Sequence, residues 1–145
     1  MFRGAAGAVY LTTTMTHRHL LRVYYEDTDL AGIVYYANYL KFIERARSEW
    51  VRSLGLDQTR LRAETGVVFA VRHIEADFLR PAVFDDVIEV RTSLHSLSGA
   101  RIVLQQSVWR GSVLLFQAIV TLVCLTARGT AVRLPTEVRT RLSAT

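Results

Sequence analysis

The sequence predicts an α+β fold in which an antiparallel sheet of about five strands wraps one long helix. Two changes of hydrophobic period predict it. Apolar residues recur at steps of three and four between about residues 34 and 54, which is the period of a helix. After residue 67 the period changes to two, which is typical of strands, and turn residues interrupt it. The 145 residues, 50% of them apolar, are enough for one domain around one core.

The first part of the chain divides into an extension and a strand. Residues 1–18 lack the strong hydrophobic segment of a signal peptide, so we expect a poorly ordered N-terminal extension. No repeat or linker divides residues 19–145, which we therefore predict to be a single domain. Residues 19–26 alternate apolar and polar side chains and predict the first strand.

The long helix is predicted to present one apolar side. That stripe consists of Leu40, Ile43, Ala46, Arg47, Trp50 and Leu54. Charged residues fill the opposite side, and Gly55 stands where a helix-terminating glycine belongs. A short second helix is predicted over residues 57–64, capped by Asp57 and ended near Gly66.

Four more strands follow, each marked by alternation. Pro81 interrupts the pattern after the first of them, and Ser98-Gly99 and Arg110-Gly111 turn the chain between the later ones. The alternating positions are Ile74, Ala76 and Phe78; Ile88, Val90, Thr92 and Leu94; Ile102, Leu104, Gln106 and Val108; and every second residue from Leu114 to Cys124. Residues 132–145 are predicted to be a surface tail, helical after Pro135.

The last strand is apolar on both faces. The helix can cover one face, but no second long helix is predicted to cover the other. Soluble monomers rarely expose a large apolar patch, so this strand predicts self-association, most simply as a two-fold dimer.

Charge and cysteine content exclude several classes of protein. The net charge is +5, but the arginines are scattered and form no run, so we expect no nucleic-acid partner. Cys124 is the only cysteine and lies in the apolar run LVCLT, which predicts a buried residue and excludes an intrachain disulfide. The longest apolar run, residues 112–127, is too short to span a membrane as a helix.

The segment DTDLAGIVYYANY, residues 27–39, carries the candidate site. By spacing alone, Asp29 is a typical helix cap and Gly32 a typical turn glycine. The alternative is catalytic. An N–H group at the start of a helix, such as that of Tyr36, can polarise a carbonyl, and a nearby carboxylate can attack it or activate a water. No group of His, Cys and carboxylate residues has the spacing of a metal site.

A longer stretch around this segment resembles a known family. RVYYEDTDLAGIVYYANYLKFIERARSEWVRSLG, and later VRHIEADFLRPAVFDDVIEVRTSL, are similar to the 4-hydroxybenzoyl-CoA thioesterase family, in particular to its YbgC-type branch of acyl-CoA thioesterases linked to the Tol–Pal system. The resemblance covers about Arg22 to Thr126. Its motif has Thr28-Asp29, Gly32, an aromatic pair and Tyr39 in fixed order.

The resemblance implies a hotdog fold, with active sites at a dimer interface and often a homotetramer. It implies that Asp29 is the catalytic carboxylate and that the backbone N–H of Tyr36 polarises the carbonyl. Many YbgC-type relatives carry histidine at the position of Tyr36, whereas the hydroxybenzoyl-CoA branch carries tyrosine. A histidine-assisted step is therefore not carried over to this chain, but a backbone donor does not depend on the side chain.

The function implied is hydrolysis of an acyl-CoA to a free acid and CoA by a cytoplasmic enzyme, with no cofactor beyond the CoA of the substrate and no metal. Gly32 and Glu44 are candidate supporting residues, although Glu44 is equally able to pair with Arg45 or Arg47 along the helix. The candidates for binding the CoA phosphates are Arg72, Arg101 and Arg128. The acyl group, and delivery by CoA or by acyl carrier protein, stay open.

Two alternatives belong to other functional classes. A hydratase or dehydratase on the same fold usually needs a catalytic histidine, and no histidine lies between His19 and His73. A non-catalytic module that binds acyl-CoA or acyl carrier protein would gain nothing from an anion beside the thioester. The presence of Asp29 therefore favours an enzyme over a binding module.

Overall fold

The computed structural model describes residues 15–145, so most of the predicted extension over residues 1–18 lies outside the described residues. Strand β1 (His17–Arg22) begins within that predicted extension, two residues before the predicted boundary. It also ends before residue 26. Tyr25–Asp27 form a single 3-10 turn instead, because a carboxylate oxygen of Asp27 accepts the Tyr24 N–H at 2.8 Å and turns the chain.

The long helix α1 (Asn38–Ser53) is followed by the short helix α2 (Gln58–Thr65). α1 begins four residues after the predicted start near residue 34, because the Val34 N–H donates to Ala82 O at 2.8 Å and holds this segment in a loop. The predicted ends are confirmed. Gly55 follows α1 with φ of 78°, and Gly66 ends α2 with φ of 72°, in the left-handed region that favours glycine.

Four strands complete a five-stranded antiparallel sheet. They are β2 (Val68–Phe78), β3 (Val87–Leu97), β4 (Arg101–Arg110) and β5 (Val113–Leu125). The order across the sheet is β1-β3-β4-β5-β2, and every neighbouring pair is antiparallel. The predicted α+β architecture is thus confirmed. Short helices accompany the one long helix that the sequence predicts.

The C-terminal residues are more than a surface tail. They form helix α3 (Thr136–Ser143), as predicted after Pro135. Leu134, Val138 and Leu142 are nevertheless buried in the core, because α3 packs its apolar side against the end of the domain. Within residues 15–145, no helix combines the length and the apolarity needed to cross a membrane.

The buried side of α1 differs from the predicted stripe. Tyr39, Phe42, Ile43, Ala46 and Trp50 are buried, whereas Leu40 is 42% exposed. The stripe is therefore rotated toward the aromatic residues at the start of the helix. This rotation places a tyrosine and a phenylalanine, not Leu40, against the sheet.

A buried amide fixes α1 on the sheet. The side-chain nitrogen of Gln106 donates to the carbonyl of Ile43 and to the hydroxyl of Thr92, both at 2.9 Å. Its oxygen accepts from Arg47 at 3.0 Å. Gln106 is fully buried, so each of these bonds replaces a lost bond to water and sets where α1 lies along the sheet.

Exposed apolar side chains lie on both β5 and β2. On the second face of β5, Leu115 and Val123 are buried, whereas Val113 is 36% exposed. β2 is an edge strand, and Val71 and Phe78 on it are each 50% exposed. Long edge strands with exposed apolar side chains are surfaces on which chains pair. The open edge of β2 is therefore a second candidate surface for self-association.

Candidate active site

The loop between β1 and α1 is a narrow hairpin closed by hydrogen bonds. Thr28 and Val34 form an isolated antiparallel bridge. Inside it, the Asp29 N–H donates to Ile33 O at 2.9 Å and the Gly32 N–H donates to Asp29 O at 3.0 Å. Gly32 has φ of 80°, so a glycine is needed to close this turn without strain. The loop thereby fixes the backbone of Asp29.

Asp29 does not cap the long helix. The residue that precedes α1 is Ala37, which makes no side-chain capping bond. One Asp29 oxygen, Oδ1, accepts the Ala31 N–H at 2.9 Å within the turn. No described residue bonds the other oxygen, and the side chain is exposed. The interpretation of Asp29 as a helix cap is therefore wrong, and one carboxylate oxygen is available to a ligand.

Backbone donors lie just before α1. Among residues 15–145, no group accepts the N–H of Tyr36 or of Ala37, whereas the first three N–H groups of α1 itself donate to carbonyls of the preceding turn. Tyr36 lies in the turn before the helix and not within it. The positive end of the helix dipole adds to these two donors, so they suit an oxygen that gains negative charge.

Aromatic rings surround these donors. The Tyr36 ring meets Phe78 edge-on at 5.9 Å between centroids. Behind it, Tyr39 stacks on Phe116 at 5.0 Å, and Phe78 lies 5.1 Å from Phe116. This group, Tyr36, Tyr39, Phe78 and Phe116, is the aromatic cluster. It supports the start of α1 on the ends of β2 and β5.

The tyrosines of the motif divide into two kinds. Tyr24, Tyr25 and Tyr35 are exposed beside the loop. Tyr39 is buried, and its hydroxyl accepts the Ala82 N–H at 3.1 Å. Burial raises the pKa of Tyr39, as expected for a tyrosine packed in the core.

Glu44 lies away from this loop. It sits six residues into α1 from Asn38, which is about 9 Å along the helix axis. It makes no ion pair within 4 Å with any described residue, and so does not pair with Arg45 or Arg47. Together with Arg47, Ser48, Phe69 and Val71, it borders a cavity of about 150 Å³ between α1, β2 and α3. Burial lowers the pKa of Arg47, and the Glu44 charge partly opposes that effect.

Two of the three candidate CoA-binding arginines, Arg101 and Arg128, lie at the far end of the sheet, and Arg72 lies in the middle of β2. Arg72, Arg101 and Arg128 are all exposed. Arg101 and Ala70 flank the same residue of β5, whereas Tyr36 contacts Phe78 at the other end of β2. At about 3.3 Å per residue, roughly 25 Å separates these two ends. One chain therefore does not bring the three arginines to Asp29.

Two charged residues near the loop and the Phe78 end of β2 were not identified as candidates from the sequence. Asp27 is 7% exposed and holds the backbone of Tyr24 and Tyr35. Arg80 lies two residues after Phe78, the last residue of β2, is exposed and forms no ion pair with a described residue. The sequence did contain one indication of Asp27, because it is a charged residue inside the quoted motif. Nothing in the sequence distinguished Arg80 from the other arginines.

Other nucleophiles and ligands do not gather here. Cys124 is fully buried, and burial raises the pKa of its thiol, as expected for a small core residue. Among residues 15–145, no three His, Cys, Asp or Glu side chains lie close enough to hold one metal ion.

Comparison with known families identifies the family of this chain. The family model described as "Thioesterase superfamily" matches residues 31–116, which include the end of the loop, both α1 and α2, and strands β2 to β4, but begin two residues after Asp29. The chain belongs to the thioesterase superfamily. The predicted family, the hotdog fold and an enzyme that hydrolyses thioesters are confirmed.

Similar proteins agree with this assignment. The thioesterase is 41% identical over 113 residues to the acyl-CoA thioester hydrolase YbgC of Escherichia coli O6:H1, covering 77% of this chain and 84% of that protein. It is 40% identical over 105 residues to the acyl-CoA thioesterase YbgC of Haemophilus influenzae, covering 72% and 77%. A crystal structure of a probable thioesterase from Bartonella henselae superposes with a TM-score of 0.80 at 38% identity, over 83% of this chain and 100% of that chain.

Proposed function

We propose that this thioesterase hydrolyses an acyl-CoA to a free acid and CoA, with Asp29 as the catalytic carboxylate. One observation carries the proposal. A short hydrogen-bonded loop joins an exposed carboxylate, Asp29, to the unpaired N–H groups of Tyr36 and Ala37. These are the two components that thioester hydrolysis requires.

The N–H groups act on the thioester oxygen. When the carbonyl carbon is attacked, its oxygen gains negative charge, and the N–H of Tyr36 stabilises that charge together with the helix dipole. Because the donors are fixed before the reaction, little reorganisation is needed in the transition state. The side chain of Tyr36 is not needed for this role.

Asp29 acts in one of two ways. As a nucleophile, its free oxygen bonds to the acyl carbon, the C–S bond breaks, CoA leaves as a thiolate and water then hydrolyses the mixed anhydride. As a general base, Asp29 takes a proton from a water that attacks the same carbon, and the departing thiolate is protonated. In single-turnover hydrolysis in heavy-oxygen water, label found in Asp29 would demonstrate the first route, because water that attacks the Asp29 carbonyl of the anhydride leaves its oxygen there and the general-base route never does.

We further propose that the working unit is a dimer formed along β2. The support is the open edge of β2 with Val71 and Phe78 half exposed. Antiparallel pairing of two such edges would set the Val68 end of one strand beside the Phe78 end of the other. Arg72 of one chain would then lie nearer the Tyr36 of its partner than its own, so the CoA phosphates would be bound across the interface. A tetramer built from two such dimers stays a prediction, as do cytoplasmic location and delivery by acyl carrier protein.

The function is tested by the release of thiol from a panel of acyl-CoAs. We expect saturable release of CoA with a preference among short aliphatic, long aliphatic and aromatic acyl groups. A thiol reagent reports the product directly, because Cys124 is buried and its background is small. Saturable binding of every acyl-CoA in the panel without thiol release would instead indicate a binding module.

Replacing Tyr36 by alanine tests the role of the backbone. Tyr36→Ala keeps the N–H group, so we expect kcat to fall by less than about tenfold, whereas loss of an oxyanion donor costs about 10²–10³-fold. The measurement is steady-state thiol release with the preferred acyl-CoA. A fall of 100-fold or more in a folded variant would assign the chemistry to the side chain.

A further inference from the structure

We infer that Asn38 is a positioning residue that ties the Asp29 loop to the start of α1 through Asp27. The inference rests on the proposed function and adds a residue to it. Asn38 touches neither of the proposed reacting groups. Its amide is instead bonded to the residue two positions before Asp29, at the point where the loop returns to the helix.

The contacts converge on Asp27. The Asn38 side-chain nitrogen donates to the Asp27 carbonyl at 3.2 Å and lies 3.5 Å from a carboxylate oxygen of the same residue. The Tyr35 N–H donates to that carbonyl at 2.8 Å. The other carboxylate oxygen accepts the Tyr24 N–H at 2.8 Å. One residue therefore binds the end of the β1 segment, the residue before Tyr36 and the first residue of α1.

The burial of Asp27 makes these bonds costly to lose. Asp27 is 7% exposed, and a buried carboxylate is tolerated only when donors satisfy it. Asn38 is the only side chain among residues 15–145 that donates to Asp27. Removing its amide leaves the carbonyl with one donor, from Tyr35, and the carboxylate with one, from Tyr24.

Asn38 is not a capping residue, although asparagine at a helix start is a favoured cap. The cap position is occupied by Ala37, and Asn38 is the first helical residue. Its amide is directed to the preceding loop and not to the helix backbone. The side chain therefore helps to fix the position of the loop relative to α1. That position sets where Asp29 lies relative to the Tyr36 N–H.

Loss of the Asn38 amide is expected to affect turnover more than substrate binding. Asp29 and the Tyr36 N–H must meet the same carbonyl group, and displacement of one by about 1 Å can cost about 100-fold in rate. The arginines proposed for the CoA phosphates lie away from this loop, so KM should depend less on this alignment. Loss of the Asn38 amide should therefore lower kcat selectively.

The test compares Asn38→Ala with Asp57→Ala in thiol release. Asp57 caps α2 through the Arg60 N–H at 3.1 Å, so its loss removes an Asx hydrogen bond of similar kind away from the loop. We expect Asn38→Ala to lower kcat by about 10–100-fold with KM changed less than about twofold. Asp57→Ala should lower the melting temperature while its kcat stays within about twofold of wild type. Asn38→Gln keeps an amide and should recover part of the lost kcat.

A double variant separates positioning from a general loss of structure. In the Asp29→Asn background there is no carboxylate to align, so adding Asn38→Ala should leave the residual rate unchanged within about threefold. Equal falls in kcat with and without Asp29 would overturn the inference, as would a wild-type kcat in Asn38→Ala. If Asp29→Asn alone keeps wild-type activity, it is the proposed function that fails.

Discussion

Replacing Asp29 by asparagine is expected to lower kcat for acyl-CoA hydrolysis by about 10²–10⁴-fold while the fold stays intact. The amide retains the shape of the carboxylate, and its oxygen can still accept the Ala31 N–H that Asp29 accepts at 2.9 Å. The turn therefore persists. What is lost is the anion that attacks the acyl carbon or takes a proton from water. Thiol release measures the rate, and circular dichroism with a thermal melt measures the fold.

Glu26→Gln is the matched control for this variant. Glu26 is an exposed carboxylate three residues away in the same connection, and the substitution makes the same change of charge. Its kcat should stay within about twofold of wild type. Wild-type turnover in Asp29→Asn would remove Asp29 from the mechanism, and an equal loss in both variants would point to the local charge.

Replacing Phe116 by alanine is expected to lower the free energy of unfolding by about 3–5 kcal/mol. Phe116 is fully buried on β5, and it stacks on Tyr39 with ring planes 5° apart. Alanine removes that contact and the one with Phe78, and leaves a cavity under the start of α1. We expect a fall in melting temperature of about 10 °C, measured by thermal unfolding.

Phe84→Ala is the comparison for Phe116. Phe84 is 56% exposed and meets Tyr25 edge-on at 6.4 Å, so its loss should cost about 1 kcal/mol or less. Equal destabilisation by the two variants would show that the aromatic cluster is not the support of the helix start.

The elements of the fold were predictable where the hydrophobic period and the turn or capping residues indicate the same element. The alternation at Ile88, Val90, Thr92 and Leu94 coincides with the four buried positions of β3, which are every second residue, because side chains on one face of a strand all meet the same core. The short helix α2 was predicted for a similar reason. Asp57 and Gly66 mark its ends by local backbone chemistry that needs no other part of the chain.

The predictions failed where a distant segment decides the local structure. Val34 was placed in the helix by its period, but its N–H is held by Ala82, which is far away in the sequence. Leu40 was placed on the buried stripe, but the sheet meets the helix at Tyr39 and Phe42 instead. A single sequence does not show which distant residue will bond a loop, or how a helix is rotated about its axis when it packs on the sheet.

The candidate site shows the same division. The ordered motif from Asp29 to Tyr39 pointed to a thioesterase, and the family is confirmed. Spacing alone, however, made Asp29 a helix cap. The structure places it in a hairpin nine residues before α1, with a side chain that the helix does not use.

By itself, the sequence determined the α+β class, the family and the identity of the candidate carboxylate, because these depend on period, turn residues and motif order along the chain. Only the tertiary structure decided which groups face each other. In the folded chain, Arg72, Arg101 and Arg128 lie away from Asp29, the edge of β2 is open, and Asn38 is bonded to Asp27. The physical reason is that hydrogen bonds and burial between residues far apart in the chain are satisfied only once the whole sheet and helix have packed.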